Sequence, residues 1–503
     1  MDDPKEDAVL EQEDVDQVRL FALTQEELVI ERKLRRKIDL IILPMVVVVY
    51  IMNYIDRNNY AASRLQGLEK DLNLTGDQYQ VGLSVFFVSY VLAQIPSNLL
   101  LNYSGRPSWV LGLFTIGWGL VSALTSQVKG YAGIVAARFF LGALEAPFFP
   151  GVLFYLSKWY TRREISLRMA IFYAGSTISG AFGSLIASAI LDALNGSHGM
   201  SAWQWLYIIE GAITISLGIL LIVVLPDFPE TWRLLTPEAK AVAVRRLTLD
   251  AADADVDEKG FQHQIRGMKL ALSDPKVYLF AIMYHVSTAA GGFQNFFPSL
   301  TATLGYSHTV SLLLVAPPYI LVTLLSFVHG WVSDRVGNRY WFYMYPIPLM
   351  ASGAVIFMTT HNFGARYAGL FLMTLIWLKT ATSYAWISSS VPRPPAKRSV
   401  AMAFVNAFGN AASIWTPYTY YSSQGGNYPV AMGVIIGCAL SAGVCATILR
   451  FMLVRENKEF ARLGEETTQL TATQRKRLEK TAQDAGVDTE TARAMQKDFR
   501  YML

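Results

Sequence analysis

Cysteine is almost absent: two in 503 residues, Cys438 and Cys445, both inside one apolar run. That excludes a disulfide scaffold and a thiolate zinc site, so no metal is expected and the pair reads as small core residues. Charge is sparse too. Only 16% of residues are Asp, Glu, Lys or Arg, against about 25% in an average soluble domain. The 43 Lys and Arg nearly balance the 39 Asp and Glu, leaving a net charge of +4. No electrostatic surface for nucleic acid is expected from that balance. A P-loop, an HExxH helix and a nucleophile elbow are all missing, which argues against an enzyme. Apolar residues are what the chain has in excess: 52% hydrophobic and 13% aromatic, with a mean hydropathy of +0.30. Such a composition indicates a helical protein that crosses a membrane several times.

The first 37 residues begin MDDPKEDAVLEQEDVD, acidic where a secretory signal needs a basic start and an apolar core. Thr24-Gln-Glu-Glu27 is a capping box, which predicts a helix over 25–37 in water. A spanning helix needs about 20 mostly apolar residues. Twelve runs qualify, and the fold class expected is all-α, with twelve transmembrane helices in two six-helix bundles. The first six are 38–60, 79–101, 107–126, 131–153, 166–191 and 203–226; the second six are 276–299, 309–332, 340–360, 366–389, 399–421 and 430–454. The organisation is therefore a tail at 1–37, a bundle at 38–226, a central loop at 227–275, a second bundle at 276–454 and a tail at 455–503. Thr236-Pro237-Glu238 supplies an N-cap, a first-turn proline and an acid for a short helix over 237–249. Another helical pattern lies near 473–485.

Lys and Arg in the short loops set orientation. One alternating set holds ten: Arg106, Lys158, Arg162, Arg163, Arg168, Arg335, Arg339, Arg393, Lys397 and Arg398. The other holds four, Arg64, Lys70, Lys129 and Arg366. The first set, the central loop and both ends are expected in the cytosol. The sequons at Asn73 and Asn195 then fall on the outer side.

The two halves echo each other. Arg163-Glu-Ile-Ser-Leu-Arg-Met-Ala opens the fifth run, and Arg398-Ser-Val-Ala-Met-Ala opens the eleventh. Gly330-Trp-Val-Ser-Asp334-Arg335-Val-Gly337-Asn-Arg339 lies between the eighth and ninth runs; Asn98-Leu-Leu-Leu-Asn102-Tyr-Ser-Gly105-Arg106 holds the matching place between the second and third. A six-plus-six repeat is the layout of transporters that rock two halves about a central site.

The Gly330–Arg339 pattern resembles the loop signature of the major facilitator superfamily. Further stretches narrow the likeness: Asp56-Arg57-Asn58, Ile95-Pro-Ser-Asn-Leu-Leu-Leu101, Arg138-Phe-Phe-Leu-Gly-Ala-Leu-Glu145-Ala146, Phe148-Phe-Pro-Gly151, Trp203-Gln-Trp-Leu-Tyr-Ile-Ile-Glu210-Gly211 and Leu225-Pro-Asp-Phe-Pro-Glu230. In order and spacing they resemble the anion:cation symporter branch, and within it the fungal allantoate-permease-like group. The resemblance runs from about residue 24 to 460. It implies transport of a small organic anion coupled to protons, with no other cofactor. It also implies that the acids of the first and fourth runs, Asp56 and Glu145, carry the coupling, and that Asp334 and Arg335 latch the halves.

Ionisable groups inside a bilayer are costly and are functional candidates by default. Arg57 offers a planar fork for a substrate carboxylate. Arg138 and Glu145, seven residues apart, face one side of their helix about 10 Å apart, and a path with Asp56 paired to Arg138 and Glu145 deeper is expected. Pro147 stands where the family pattern has glycine; it should bend the helix beside Glu145. Lys379, mid-way along the tenth run, is expected to give a second cation, clamp an anion with Arg57 and favour dicarboxylates. Tyr54 and Tyr90 match substrate-side tyrosines of related symporters. His285 and Glu210 read as structural. Gly291-Gly292 and Pro298 should break the seventh run where it lines a cavity. Gly175, Ser179, Gly183 and Ala187 form a small-residue ridge for close helix packing.

The function expected is a secondary active transporter, working as a monomer in a lipid bilayer, with the plasma membrane favoured over an organelle. The rivals are an exporter of the same fold, a membrane enzyme and a non-transporting nutrient sensor; the last would carry a larger soluble domain than tails of these lengths.

Overall fold

The computed structural model describes residues 23–104, 106–252, 261–391, 395–465 and 501. The pattern near 473–485 and Arg393 lie outside the described residues. Every described element is helical. The first helix, α1 (Gln25–Leu65), starts at the Thr24 capping box and runs without interruption through the first apolar run. The expected aqueous helix and the first span are thus one rod of 41 residues, and Pro44 does not break it. Then come α2 (Gln78–Ser104), α3 (Pro107–Thr125), α4 (Tyr131–Glu145), α5 (Phe148–Ser157), α6 (Arg162–Leu194) and α7 (Ala202–Val224). The central stretch holds α8 (Pro237–Ala252), capped by Thr236 Oγ1 on the Ala239 N–H at 3.3 Å, and α9 (Phe261–Leu272). The remainder contains α10 (Pro275–Ala290), α11 (Phe297–Ala302), α12 (Ala316–Val336), α13 (Arg339–Met344), α14 (Pro346–Thr359), α15 (Phe363–Thr374), α16 (Lys379–Ser390), α17 (Pro395–Asn410) and α18 (Pro429–Glu465).

Among the described residues, nine helical stretches are long and apolar enough to cross a membrane. All twelve expected runs fall on helix, but 79–101, 276–299 and 399–421 are not among the nine. The last two are interrupted: 3-10 turns at Gly292–Phe296 and Thr416–Thr419 divide them.

Lipid removes much of the hydrophobic drive for helix association, so small residues that let backbones approach matter more. The α3–α7 contact shows this. A Cβ on Gly119 would meet the Ile215 nitrogen at 2.9 Å, and one on Gly211 would meet the Gly119 oxygen at 2.7 Å. The ridge on α6 behaves likewise against α1: Cβ positions at Gly175 and Gly183 lie 3.3 Å from Ile51 and 3.4 Å from Ile55. Two large apolar cores result. One draws on residues from Leu34 to Ala243, and the other is dominated by residues from Ala271 to Leu453. Cross-contacts tie the two parts at one end. Gln80 donates to the Tyr420 carbonyl at 3.1 Å, Ser84 to Ile414 at 2.6 Å and Ser188 to Thr309 at 3.0 Å.

On the base of α1, α6 and α8, charges pair. Arg168 meets Asp39 at 2.6 Å, Arg245 meets Glu27 at 2.8 Å, and buried Arg246 meets Glu164 at 3.2 Å. In the Gly330–Arg339 loop, Gly337 ends α12 at φ +67°, a conformation that suits glycine. Asp334 pairs with Arg339 of the same loop at 2.7 Å, while the Arg335 guanidinium lies over Trp331 at 4.2 Å. Among the described residues, the charge pair here is internal to the loop.

Candidate functional site

Between the two cores lies a central cavity of about 160 Å³. A water needs about 10–15 Å³ on this measure, so the space suits a small solute. On one side α1 contributes Tyr54, Arg57 and Asn58, α2 contributes Phe87, and α6 contributes Ser176 and Thr177. The facing wall is built on broken helices. As expected, α10 stops at Ala290; Gly291 and Gly292 start a 3-10 turn, and Pro298 sits in the first turn of α11. This break exposes Gln294 and Asn295 to the cavity beside Ser287 and Thr288 of α10. Tyr284, Tyr319, Trp377, Asn410 and Ser413 complete that wall.

Arg57 is the one charged side chain among the described residues that line it. Its Nε and Nη2 both donate to Glu145 Oε2, at 3.3 and 3.1 Å. Glu145 Oε1 is buried without a hydrogen-bond partner. The guanidinium is held flat by aromatic faces, with Tyr54 at 4.8 Å and Tyr90 at 4.9 Å. Tyr54 therefore lines the cavity, whereas Tyr90 backs the arginine. Glu145 ends α4. At Pro147 the hydrogen-bond ladder is interrupted: α4 stops at Glu145 and α5 begins at Phe148, while Ala146 and Pro147 keep helical dihedrals, because proline has no N–H to continue the ladder.

The expected Asp56–Arg138 pair is not formed. Consecutive residues on a helix differ by about 100°, so Asp56 points away from Arg57 and the cavity. It accepts from Trp118 Nε1 at 3.2 Å, Ser122 Oγ at 3.2 Å and Thr214 Oγ1 at 2.9 Å. Arg138 instead donates to the Gly82 carbonyl at 3.2 Å and lies over Phe86 and Tyr60 at 4.5 and 4.8 Å. Both its terminal nitrogens lack hydrogen-bond partners.

Lys379 does not join Arg57 in a clamp. Trp377, two residues earlier, takes the cavity-facing position, and two steps turn a helix by about 200°. Lys379 is 2% exposed, its Nζ lies 5.0 Å over the Tyr343 ring, and it has no hydrogen-bond partner. It reaches the cavity only through others. Tyr343 Oη is 2.5 Å from Ser287 Oγ. The Ser287 hydroxyl already donates to the Met283 carbonyl at 2.6 Å, so Tyr343 is the donor to it. His285 is structural as expected: its ring bonds the Phe408 carbonyl at 2.8 Å and accepts from Trp415 at 3.1 Å. Sequence reasoning missed the neutral wall formed by Gln294, Asn295, Asn410 and Ser413. Amides interrupting apolar runs were the signal available.

Comparison with known proteins followed the same lines. A family model described as Major Facilitator Superfamily matches residues 46–417. A Penicillium expansum protein named "MFS-type transporter cnsO" is 34% identical over 443 residues, covering 85% of this chain and 84% of its own. An uncharacterized transporter of Schizosaccharomyces pombe is 33% identical over 431 residues, covering 85% and 87%. Among solved structures, a bacterial homolog of the human lysosomal transporter Spinster, in an inward-facing and occupied conformation, aligns with a TM-score of 0.61 at 13% identity, covering 82% of this chain and 97% of that one. The proton:xylose symporter XylE aligns at 0.60 and 13%, covering 79% and 94%. At such identities these likenesses concern the fold alone.

Proposed function

The chain belongs to the major facilitator superfamily, and from that premise we propose that it moves a small organic anion together with protons by alternating access. It is a secondary transporter of this type and not an enzyme. Our reading takes twelve spans in two six-helix halves, at 38–226 and 276–454, joined by a cytosolic loop at 227–275. It places both termini in the cytosol, the plasma membrane as the site, and a monomer as the working unit. The anion:cation symporter branch is the best-fitting subfamily.

The observation that carries this reading is the buried Arg57–Glu145 pair at the edge of an otherwise uncharged cavity. A carboxylate substrate would compete with Glu145 for the guanidinium. A displaced Glu145 would be left as a buried charge without a partner, which is strongly unfavourable. Taking up a proton removes that cost. Anion and proton would therefore arrive together, and leave together when Glu145 returns to Arg57. Tyr54 and the amide and hydroxyl groups of the opposite wall would hold the neutral part of the substrate. One lining cation favours monocarboxylates, in place of the dicarboxylates that a two-cation clamp would prefer. Uptake of labelled mono- and dicarboxylates into proteoliposomes, at two external pH values, tests the reading. Faster uptake of a monocarboxylate at the lower pH supports it; uptake of none of the anions would end it.

A further inference from the structure

Asp56 has a second acid near it. The α1 and α7 helices meet along a polar seam in which Thr214 donates to Asp56 at 2.9 Å and, about one turn along, Asn59 Nδ2 donates to Glu210 Oε2. Asp56 and Asn59 on α1 match Thr214 and Glu210 on α7 in antiparallel register. Both acids are completely buried, at 0% exposure. Neither has a Lys, Arg or His in ion-pair reach among the described residues. The other titratable groups around the seam are Tyr207 of α7, Tyr60 of α1, and Arg138 and Glu145 of α4. Arg138 is directed to Gly82 and the Tyr60 and Phe86 rings. Glu145 is taken by Arg57.

Two buried carboxylates without a cation cannot both keep their charge at a tolerable cost. Their surroundings differ in a way that assigns the roles. Asp56 accepts three hydrogen bonds from neutral donors, which suits a carboxylate. Glu210 accepts one, and its Oε1 has no hydrogen-bond partner, which leaves that oxygen free to carry a hydrogen.

We propose that Asp56 and Glu210 form a proton-holding pair on the α1–α7 seam, with the proton on Glu210 Oε1 and the charge on Asp56. The site lies outside the cavity and is separate from the Arg57–Glu145 pair. Uptake of the proton forms one O–H bond on Glu210 and release breaks it; nothing is oxidised or reduced. The pair deepens the proton-coupled reading and rests on it for its use in transport, since its charged member, Asp56, stands one residue from the anion-binding arginine.

Infrared spectroscopy of the purified full-length protein tests the site without any substrate. At neutral pH we expect a protonated-carboxyl C=O band that shifts in D2O. It should be lost in Glu210→Gln, which keeps an oxygen for Asn59 to donate to, and be retained in Glu145→Gln. A second variant, Asn59→Ala, keeps both acids and should raise the band frequency, because Oε2 loses its hydrogen-bond donor. No such band in the parent protein, or a band indifferent to both Glu210→Gln and Asn59→Ala, would overturn the assignment. Failure of the transport reading would instead appear as uptake indifferent to a proton gradient, with the band unchanged.

Discussion

Asp56 and Arg57 share a peptide bond yet belong to different centres. Arg57 faces the cavity, is fixed between Tyr54 and Tyr90, and neutralises Glu145. Asp56 faces α3 and α7, meets no cation among the described residues and is satisfied by neutral hydroxyl and indole donors. One centre is a charge pair that a competing anion can open. The other is a polar seam with nothing for an anion to bind. The difference teaches that a run of ionisable residues in a spanning helix is not one site. The helical turn of about 100° per residue deals neighbours to different helices, and each position takes its function from the partner it meets.

Substitutions that separate the centres would break or sharpen this contrast. The largest effect is expected from Arg57→Ala, which strands Glu145. At alkaline pH, where Glu145 keeps its charge, stability should fall by about 3–5 kcal/mol, and by less at lower pH where it takes up a proton; carboxylate binding should be lost. Replacing both members, Arg57→Met with Glu145→Met, should recover most of the stability but none of the binding, as thermal denaturation and a binding assay would report. Asp56→Asn keeps one acceptor oxygen but turns the other into a donor, so the three hydrogen bonds from Trp118, Ser122 and Thr214 cannot all be kept as they are, and it should cost about 1–3 kcal/mol. Affinity for a monocarboxylate should stay within about threefold; a collapse of affinity would merge the two centres. Next comes Arg57→Lys, which keeps charge but loses the fork and the flat contact with Tyr54. A fall in affinity of about tenfold, or 1.4 kcal/mol, is expected in the same assay. The smallest effect is expected from Lys379→Met. That side chain sits behind Tyr343, so affinity should change by less than about threefold, and dicarboxylates should not be favoured in the parent protein.

The sequence made the helical class and the position of every apolar run legible, because about 20 apolar residues in a row have few alternatives. It also located the interruption at Pro147 and the break at Gly291-Gly292, where backbone chemistry acts locally. Arg57, Glu145 and Tyr54 were legible as candidates, and Arg57 and Tyr54 do line the cavity. Their pairing was not: depth along a helix could be counted from residue numbers, whereas the facing side depends on rotation and on the neighbour. Counting alone therefore pairs Asp56 with Arg138, whereas Trp118, Ser122 and Thr214 claim it. The same reasoning places Lys379 at the cavity, although Trp377 occupies that face. The neutral wall escaped notice because single amides and hydroxyls carry no charge to mark them.

Joint uptake of a proton by Glu145 and an anion by Arg57 is the central claim. Its most direct test is accumulation of a labelled monocarboxylate in proteoliposomes with and without an inward proton gradient, for the parent protein and Glu145→Gln. The account expects accumulation by the parent that disappears with a protonophore. Glu145→Gln should not accumulate the anion under any gradient but should still exchange internal for external anion. Protonophore-resistant accumulation by the parent, or full accumulation by Glu145→Gln, would contradict it.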